Sequence, residues 1–399
     1  MSEPVPPPVP PRPRRSGGPP AGRRRSATVA ALVLAGSLSV LAAASLTVLA
    51  DDDRPAERRQ TGPIPSGAAP APPSPAVTRA PQSPPPSPPQ DEPEAVTLAF
   101  AGDVHAEGPS GDAIRAGLPS IRDALGSADV TVVNLETAVT DRGTAADKQF
   151  AFRAPASTLP ALRDAGVDVV SLANNHGLDF GREGLTDTLE AARAAGLPLV
   201  GLGQDEASAY APHVVEVKGQ RIAVLGATQV LDGQFVDAWT ARGDAPGMAS
   251  AKRADRLVEE VRRARDVADT VVVYLHWGEE RNPCPLPRQQ ELAQQLVDAG
   301  ADVVVGGHAH VLLGGGMLGE AYVDYGLGNF VFSGSRREET LKSGILTLTV
   351  RGRSVEAASW TPAVLRSGAP HLLEGEAALA AVADKERRRD CTGLAPGPR

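Results

Sequence analysis

Five short apolar runs in this chain end in the same way, with polar or titratable side chains at or directly after the last apolar residues. These runs are VTLAFAG (96–102) with Asp103 and His105, TVVN (131–134) with Asn134 and Glu136, VDVVSLAN (167–174) with Asn175 and His176, TVVVYL (270–275) with His276, and DVVVGG (302–307) with His308 and His310. Segments with apolar residues at helical spacing lie between them, at about 110–126, 156–166, 182–196, 250–268 and 286–300. This alternation predicts an α/β domain.

The polar residues are therefore expected to meet at one place. In open α/β sheets, ligands lie outside the carboxyl ends of the strands, where rigid elements aim several side chains at one point. Five of the seven histidines fall at these ends, and only His213 and His371 lie elsewhere. A set of Asp, Glu, Asn and His without a thiolate suits Mn, Fe or Zn better than it suits a structural zinc cage. The sequence thus predicts a site with room for two divalent ions bridged by a carboxylate.

The first quarter of the chain has a different composition. Residues 1–26 are rich in proline and arginine, which predicts a disordered tail. Residues 27–50 are uncharged and mostly apolar, long enough for a transmembrane helix. Residues 51–94 are rich in Pro, Ser and Ala, which predicts an extended linker to a domain at 95–370, followed by a C-terminal tail at 371–399.

Charge around the apolar stretch sets its expected orientation. Six arginines and one acid precede it and three aspartates follow it, so the positive-inside rule places the amino terminus in the cytoplasm and the domain outside, on a single-pass cell-membrane anchor. The alternative is a cleaved signal and a secreted protein, because Val48-Leu49-Ala50 is a small-residue pattern that a signal peptidase accepts.

Net charge and cysteine content indicate which class of partner is excluded and which cell compartment is expected. The formal net charge of −8 argues against nucleic acid as a partner. The two cysteines, Cys284 and Cys391, would lie in an oxidising compartment, and we predict that they form a disulfide; two free thiols are the alternative.

Six motifs in a fixed order carry a family resemblance. They are GDVH (102–105), NLE (134–136), ANNHGLD (173–179), HWGEE (276–280), GGHAH (306–310) and GLGNFVF (326–332). Over roughly residues 95–362 they resemble the CapA/PgsA family of capsule and poly-gamma-glutamate synthesis proteins, within the calcineurin-like metallophosphoesterase superfamily. The resemblance implies a β-sandwich flanked by helices, in four αββα layers, with a two-metal site at the strand ends.

The resemblance also implies a role for each residue. Asp103, His105 and His310 would bind the first metal, and Glu136 would bridge, although these enzymes usually carry an aspartate there. Asn175, His276 and His308 would bind the second metal. His176 would stabilise the transition state or protonate the leaving oxygen. Asn329 and Phe330 would shape the pocket wall. Independently of the resemblance, Arg153 and the stretch 148–150 are candidates to meet an anionic substrate, with a solvated arginine as the alternative.

Two functions from different classes follow. The first is a membrane-anchored extracellular hydrolase of the phosphoesterase type, acting on a cell-envelope or capsular polymer or its precursors. The second is a non-catalytic polymer assembly or export factor that uses the same fold as a scaffold, alongside membrane proteins for polymer synthesis and export.

Overall fold

The computed structural model describes residues 93–334 and 336–398, and its strands and helices follow one another in short alternating elements. The strands are β1 (Val96–Val104), β2 (Val130–Leu135), β3 (Ala138–Val139), β4 (Arg153–Ala154), β5 (Val169–Ser171), β6 (Leu199–Val200), β7 (Leu202–Gly203), β8 (His213–Val217), β9 (Gln220–Thr228), β10 (Gly247–Met248), β11 (Thr270–His276), β12 (Val303–Gly307), β13 (Gly315–Leu318), β14 (Ala321–Asp324), β15 (Asn329–Val331), β16 (Lys342–Arg351), β17 (Ser354–Arg366) and β18 (Ala369–Leu372). The helices are α1 (Gly108–Arg115), α2 (Arg122–Leu125), α3 (Thr158–Asp164), α4 (Gly181–Ala195), α5 (Glu206–Tyr210), α6 (Val236–Trp239), α7 (Asp255–Val267), α8 (Pro287–Ala299), α9 (Glu338–Leu341) and α10 (Gly375–Arg387), followed by a 3₁₀ turn at Arg388–Cys391.

Two mixed sheets form the centre of the domain. The first has the order β18-β17-β16-β1-β2-β5-β6, with β15 also paired to β1, and the second has the order β13-β14-β12-β11-β9-β8. The strands that carry the predicted site residues are parallel within each sheet: β1, β2 and β5 in the first, β11 and β12 in the second. Within each sheet, the carboxyl ends of these strands therefore lie at the same edge.

Alternating side chains along the strands divide the core into three layers. On β1, Leu98 and Phe100 pack between the sheets against residues such as Val272 of β11, whereas Ala99 and Ala101 pack on the outer side. Helices α1, α3 and α4 cover the outer face of the first sheet, and α7 and α8 cover that of the second. Because successive strand residues point to opposite faces, near-continuous apolar runs bury both sides. The predicted α/β class with two facing sheets and outer helices is confirmed.

Two predicted helices were wrong in part. The predicted helix 110–126 is split into α1 and α2, because Leu118 has φ 47° and precedes Pro119, whose ring disfavours helical geometry in the residue before it. The predicted helix 250–268 begins only at Asp255, since Ser250 pairs with Thr228 at the end of β9.

The segment set apart in the sequence as a C-terminal tail is a folded part of the domain. It completes β18, forms α10 and returns to the second sheet, where Ala395 bridges Met317. Cys391 forms a disulfide with Cys284, in the loop after β11, as predicted.

The predicted tail 1–26, the predicted transmembrane helix 27–50 and all but the last two residues of the linker 51–94 lie outside the described residues. Among the helices of the described part, none is long and apolar enough to span a bilayer.

Candidate metal centre

Acidic and imidazole side chains from the two sheets form two adjoining groups. The first consists of Asp103, Glu136 and His310, and the second of Glu136, His276 and His308; within each group the candidate ligand atoms all lie within 4.8 Å of one another. Glu136 belongs to both. The structure thus brings together five of the seven predicted metal ligands, with Glu136 in the shared position expected of a bridge.

Asp103 is fixed by hydrogen bonds from both sheets. Its Oδ1 accepts from Asn134 Nδ2 at 2.8 Å and its Oδ2 from the backbone N–H of His308 at 2.9 Å. A Cβ atom on Gly307 would lie 2.3 Å from Asp103 Oδ1, so a glycine is required for the second sheet to approach this carboxylate.

A chain of buried amides links the strand ends of the first sheet. Asn174 donates to Asn134 Oδ1 at 3.0 Å and to the carbonyl of Leu135 at 2.9 Å, while its own Oδ1 accepts from the N–H of His176 at 3.0 Å. Asn174 was not predicted as a positioning residue, although it lies within the ANNHGLD motif.

His276 lies between Glu136 and Asn175. Its Nε2 is 3.3 Å from Glu136 Oε1 and 2.7 Å from Asn175 Oδ1, and its Nδ1 is 3.2 Å from Asn134 Nδ2. The predicted ligand Asn175 therefore directs its amide oxygen at the second group.

The two histidines after β12 turn in different directions. Their backbones have positive φ angles, 88° for His308 and 55° for His310, a conformation that is uncommon for residues with a Cβ and is found at functional sites. His310 Nδ1 lies 2.9 Å from Asn329 Oδ1, which leaves Nε2 facing Glu136 Oε1 at 3.9 Å. Asn329 thus orients His310, whereas Phe330 is buried in the core.

The donor atoms and the charge of this cluster fit a cation. Both carboxylate oxygens of Glu136 and Nδ1 of His308 are buried without a hydrogen-bond partner among the described residues. Burial alone would lower the pKa of His310, but the Glu136 and Asp103 carboxylates raise it to about 10. Burial raises the pKa of Glu136 to about 7. The buried carboxylates of Asp103 and Glu136 thus favour positive charge at the place where ligand atoms without hydrogen-bond partners meet.

His105 lies beside the first group and outside it. Its ring packs against Phe152 at 4.4 Å and Phe332 at 5.0 Å, and both ring nitrogens are buried without a hydrogen-bond partner among the described residues. Burial, together with His176 and His310, lowers its pKa to about 4, so the ring is neutral. The ligand atoms of the first group lie within 4.8 Å of one another and do not include those of His105, so this ring would have to move to join the group.

His176 also lies outside both groups, as expected of a residue that is not a ligand. Its Nδ1 is 2.6 Å from Asp179 Oδ2, and its ring stacks on Phe152 at 4.2 Å. Its Nε2 has no hydrogen-bond partner among the described residues.

Comparison with known proteins places this centre in a family. The model of the bacterial capsule synthesis protein family PGA_cap matches residues 97–334, which include all of the predicted site residues. The chain belongs to this family. The resemblance to CapA/PgsA proteins drawn from the six motifs is thereby confirmed.

Curated relatives of this family member are similar over part of their length. The chain is 36% identical over 229 residues to the capsule biosynthesis protein CapA of Bacillus anthracis (56% of this chain, 54% of that protein). It is 36% identical over 188 residues to the PGA biosynthesis protein CapA of Bacillus subtilis (47% and 48%). The chain thus spans about half the length of the curated relatives it matches.

Solved structures are more distant. A phosphatase from Mycoplasma pneumoniae is 16% identical with a TM-score of 0.45, covering 68% of this chain and 94% of its own. A 5′-nucleotidase from Candida albicans is 9% identical with a TM-score of 0.40, covering 73% and 56%. Similarity at this level is not evidence of phosphatase activity in this chain.

Proposed function

We propose that this capsule-family protein is a dinuclear-metal-dependent hydrolase of the phosphoesterase type, acting on a cell-envelope polymer or its precursors. One observation carries the proposal: two acid and imidazole groups share Glu136 at the carboxyl ends of four strands, β1, β2, β11 and β12, with several ligand atoms buried and without a hydrogen-bond partner among the described residues. A purely structural cluster would have these atoms satisfied by hydrogen bonds.

The residues present would hold two divalent ions. Asp103, Glu136 and His310 would bind the first, with His105 joining after its ring moves, and Glu136, Asn175, His276 and His308 would bind the second. Two such ions, when bound, polarise a phosphoryl oxygen and lower the pKa of a water molecule for attack on phosphorus. The mixed oxygen and nitrogen set suits Mn, Fe or Zn.

The remaining residues would position and move protons. Asn134 fixes Asp103 and lies against His276, so one amide holds members of both groups. His176 donates Nδ1–H to Asp179, which leaves Nε2 to hold a proton for the leaving oxygen. Phe152 and Phe332 pack against the ring of His105 and would cover one side of the site.

The names of the relatives suggest the polymer. Two are CapA proteins of capsule or PGA biosynthesis, and a third, 35% identical over 189 residues, is a probable polyglutamine synthesis accessory protein of Mycobacterium tuberculosis. We therefore propose a capsular or other envelope polymer as the partner, alongside membrane proteins of its synthesis and export.

The domain is proposed to lie outside the cell membrane on a single anchor at residues 27–50. The charge asymmetry around this stretch and the Cys284–Cys391 disulfide, which persists in oxidising compartments, support this. Protease added to intact cells that lack a protective wall is expected to remove the domain and leave a short protected fragment. A domain that becomes accessible only after lysis contradicts the orientation.

Metal removal tests the enzymatic proposal. We expect the purified full-length protein to hydrolyse bis(p-nitrophenyl) phosphate, to lose this activity after chelation and dialysis, and to regain it with Mn²⁺. His176→Ala should lower kcat roughly 10²–10⁴-fold at unchanged metal content, because a positioned acid contributes about that much. His213→Ala, on β8, serves as the control and should behave like wild type.

The rival function gives a different result. A scaffold that binds polymer without turnover would hold metal, retain its fold and show no hydrolysis above the chelated protein. That outcome, or equal activity in wild type and His176→Ala, contradicts the hydrolase.

A further inference from the structure

Lys148 lies in the loop between β3 and β4, and its side chain points inward. Only 8% of this side chain is exposed, and its partner Asp179 is fully buried. Arg153, the first residue of β4, is exposed and lies over the ring of Phe180 at 4.8 Å. Lys148 and Arg153 therefore have different environments, and of these two cations Arg153 is the one that faces solvent.

The ammonium group of Lys148 already has its partners. Nζ donates to Asp179 Oδ1 at 2.9 Å and to the backbone carbonyl of Asn175 at 2.5 Å, and it lies 3.4 Å from His176 Nδ1. The ring of Trp239 covers it at 5.5 Å. An anionic substrate could reach this cation only by displacing a buried carboxylate, so Lys148 is poorly placed as a substrate contact.

Asp179 connects Lys148 to His176 through its two carboxylate oxygens. Its Oδ2 accepts from His176 Nδ1 at 2.6 Å and from the backbone N–H of Phe152 at 2.7 Å, while Oδ1 accepts from Lys148. Every described hydrogen bond of the carboxylate thus fixes either the loop or the imidazole. A carboxylate held in this way sets the tautomer and the ring orientation of its histidine.

We infer that Lys148, acting through Asp179, is a positioning residue for His176 and not a substrate-binding residue. This inference rests on the proposed function, since it assigns His176 the chemical role stated above. Lys148 joins the loop between β3 and β4 to the loop after β5, where Asn175 and His176 stand side by side. Without it, Asp179 and the Asn175 carbonyl each lose a donor, and the imidazole loses its fixed direction.

Steady-state kinetics of the full-length, metal-loaded protein test the role. Lys148→Met and Asp179→Asn are each expected to lower kcat roughly 10–100-fold, the usual effect of losing an orienting partner, with KM changed less than about twofold. Lys218→Met, which breaks the comparable Lys218–Asp129 pair away from the site, is the matched control and should keep wild-type kinetics. A large rise in KM with kcat unchanged in Lys148→Met would show a substrate contact and overturn the inference.

A spectroscopic measurement separates this inference from the proposed activity. With ¹⁵N-labelled histidine, we expect an Nδ1–H proton signal from His176, assigned by its loss in His176→Gln, that is slow to exchange with water. The signal should shift and broaden in both Lys148→Met and Asp179→Asn and stay unchanged in Lys218→Met.

The two failures are then distinguishable. If wild type shows no hydrolysis but the signal responds as expected, the proposed hydrolase activity is contradicted, whereas the role of Lys148 and Asp179 in orienting His176 is supported. An unchanged signal in Lys148→Met overturns the positioning role whatever the activity. Asp179→Asn keeps the shape of the side chain and provides a second test if Lys148→Met does not fold. Because Lys148 is inferred to act through Asp179, an unchanged signal in Asp179→Asn also overturns the positioning role.

Discussion

Replacing Glu136 by glutamine is expected to weaken the binding of both proposed metal ions, by at least about 100-fold. Glu136 is the residue common to both ligand groups, and neither of its oxygens has a hydrogen-bond partner among the described residues. The amide keeps the volume but removes the negative charge and one oxygen ligand, and it turns an NH₂ group toward the imidazoles. Loss of a partner that only orients a ligand costs 10–100-fold in affinity, so loss of a shared ligand should cost more.

Metal analysis of the full-length protein after dialysis measures this effect. Wild type is expected to retain its ions, while Glu136→Gln retains little, with a thermal midpoint no longer raised by added Mn²⁺. Glu279→Gln removes an exposed acid three residues after His276 and is the matched control. If Glu136→Gln keeps the wild-type metal content, Glu136 does not bridge two ions.

The parts of this centre that the sequence could predict are those set by short-range patterns. Parallel strands bring the residues at their carboxyl ends together at one edge of a sheet. The grouping of Asp103, Glu136, His276, His308 and His310 therefore followed from the positions of the strand ends alone. The division of His308 and His310 between two groups also agrees with the expectation from the resemblance.

The supporting network could not be predicted in the same way, because its contacts join distant loops. Lys148 and Asp179 are 31 residues apart, and Asn134 and Asn174 are 40 apart. Single residues in polar loops have no periodicity that marks them as buried, and Lys148 was therefore interpreted as a candidate contact for an anionic substrate. Only the packing of the loop between β3 and β4 over His176 reveals its partner.

The C-terminal segment was underestimated for a related reason. Its helix α10 is rich in alanine and charge, with Leu379 exposed, so the sequence shows no strong apolar face. Its attachment depends on polar contacts: Arg388 donates to the carbonyl of Leu312, and Lys385 enters the core. A periodicity argument detects apolar faces and misses an anchor of this kind.

Lys385→Met is accordingly expected to be strongly destabilising, by about 3–5 kcal/mol, because it leaves a buried charge without its partner. Lys385 Nζ donates to Asp324 Oδ1 at 2.9 Å, to the carbonyl of Leu313 at 2.6 Å and to that of Gly326 at 3.3 Å. Asp324 is fully buried at the end of β14. Methionine can fill the space of the lysine stem, but it satisfies none of these three acceptors.

The destabilisation should appear as a thermal midpoint lower by roughly 5–15 °C in the full-length protein. Lys342→Met provides the control, since Lys342 is partly exposed and pairs with Glu339 and Asp384 at the surface, where such pairs contribute about 0–1 kcal/mol. The double variant Lys385→Met with Asp324→Leu should recover part of the loss, because it removes the unpaired carboxylate.

The same substitution should also reach the metal centre. Leu313 follows His310 by three residues, so the carbonyl that Lys385 holds belongs to the loop that carries a proposed ligand. We expect Lys385→Met to release metal more readily than Lys342→Met at a temperature where both are folded. Equal stability and equal metal retention in Lys385→Met and Lys342→Met would show that α10 does not support the loop after β12 that carries His310.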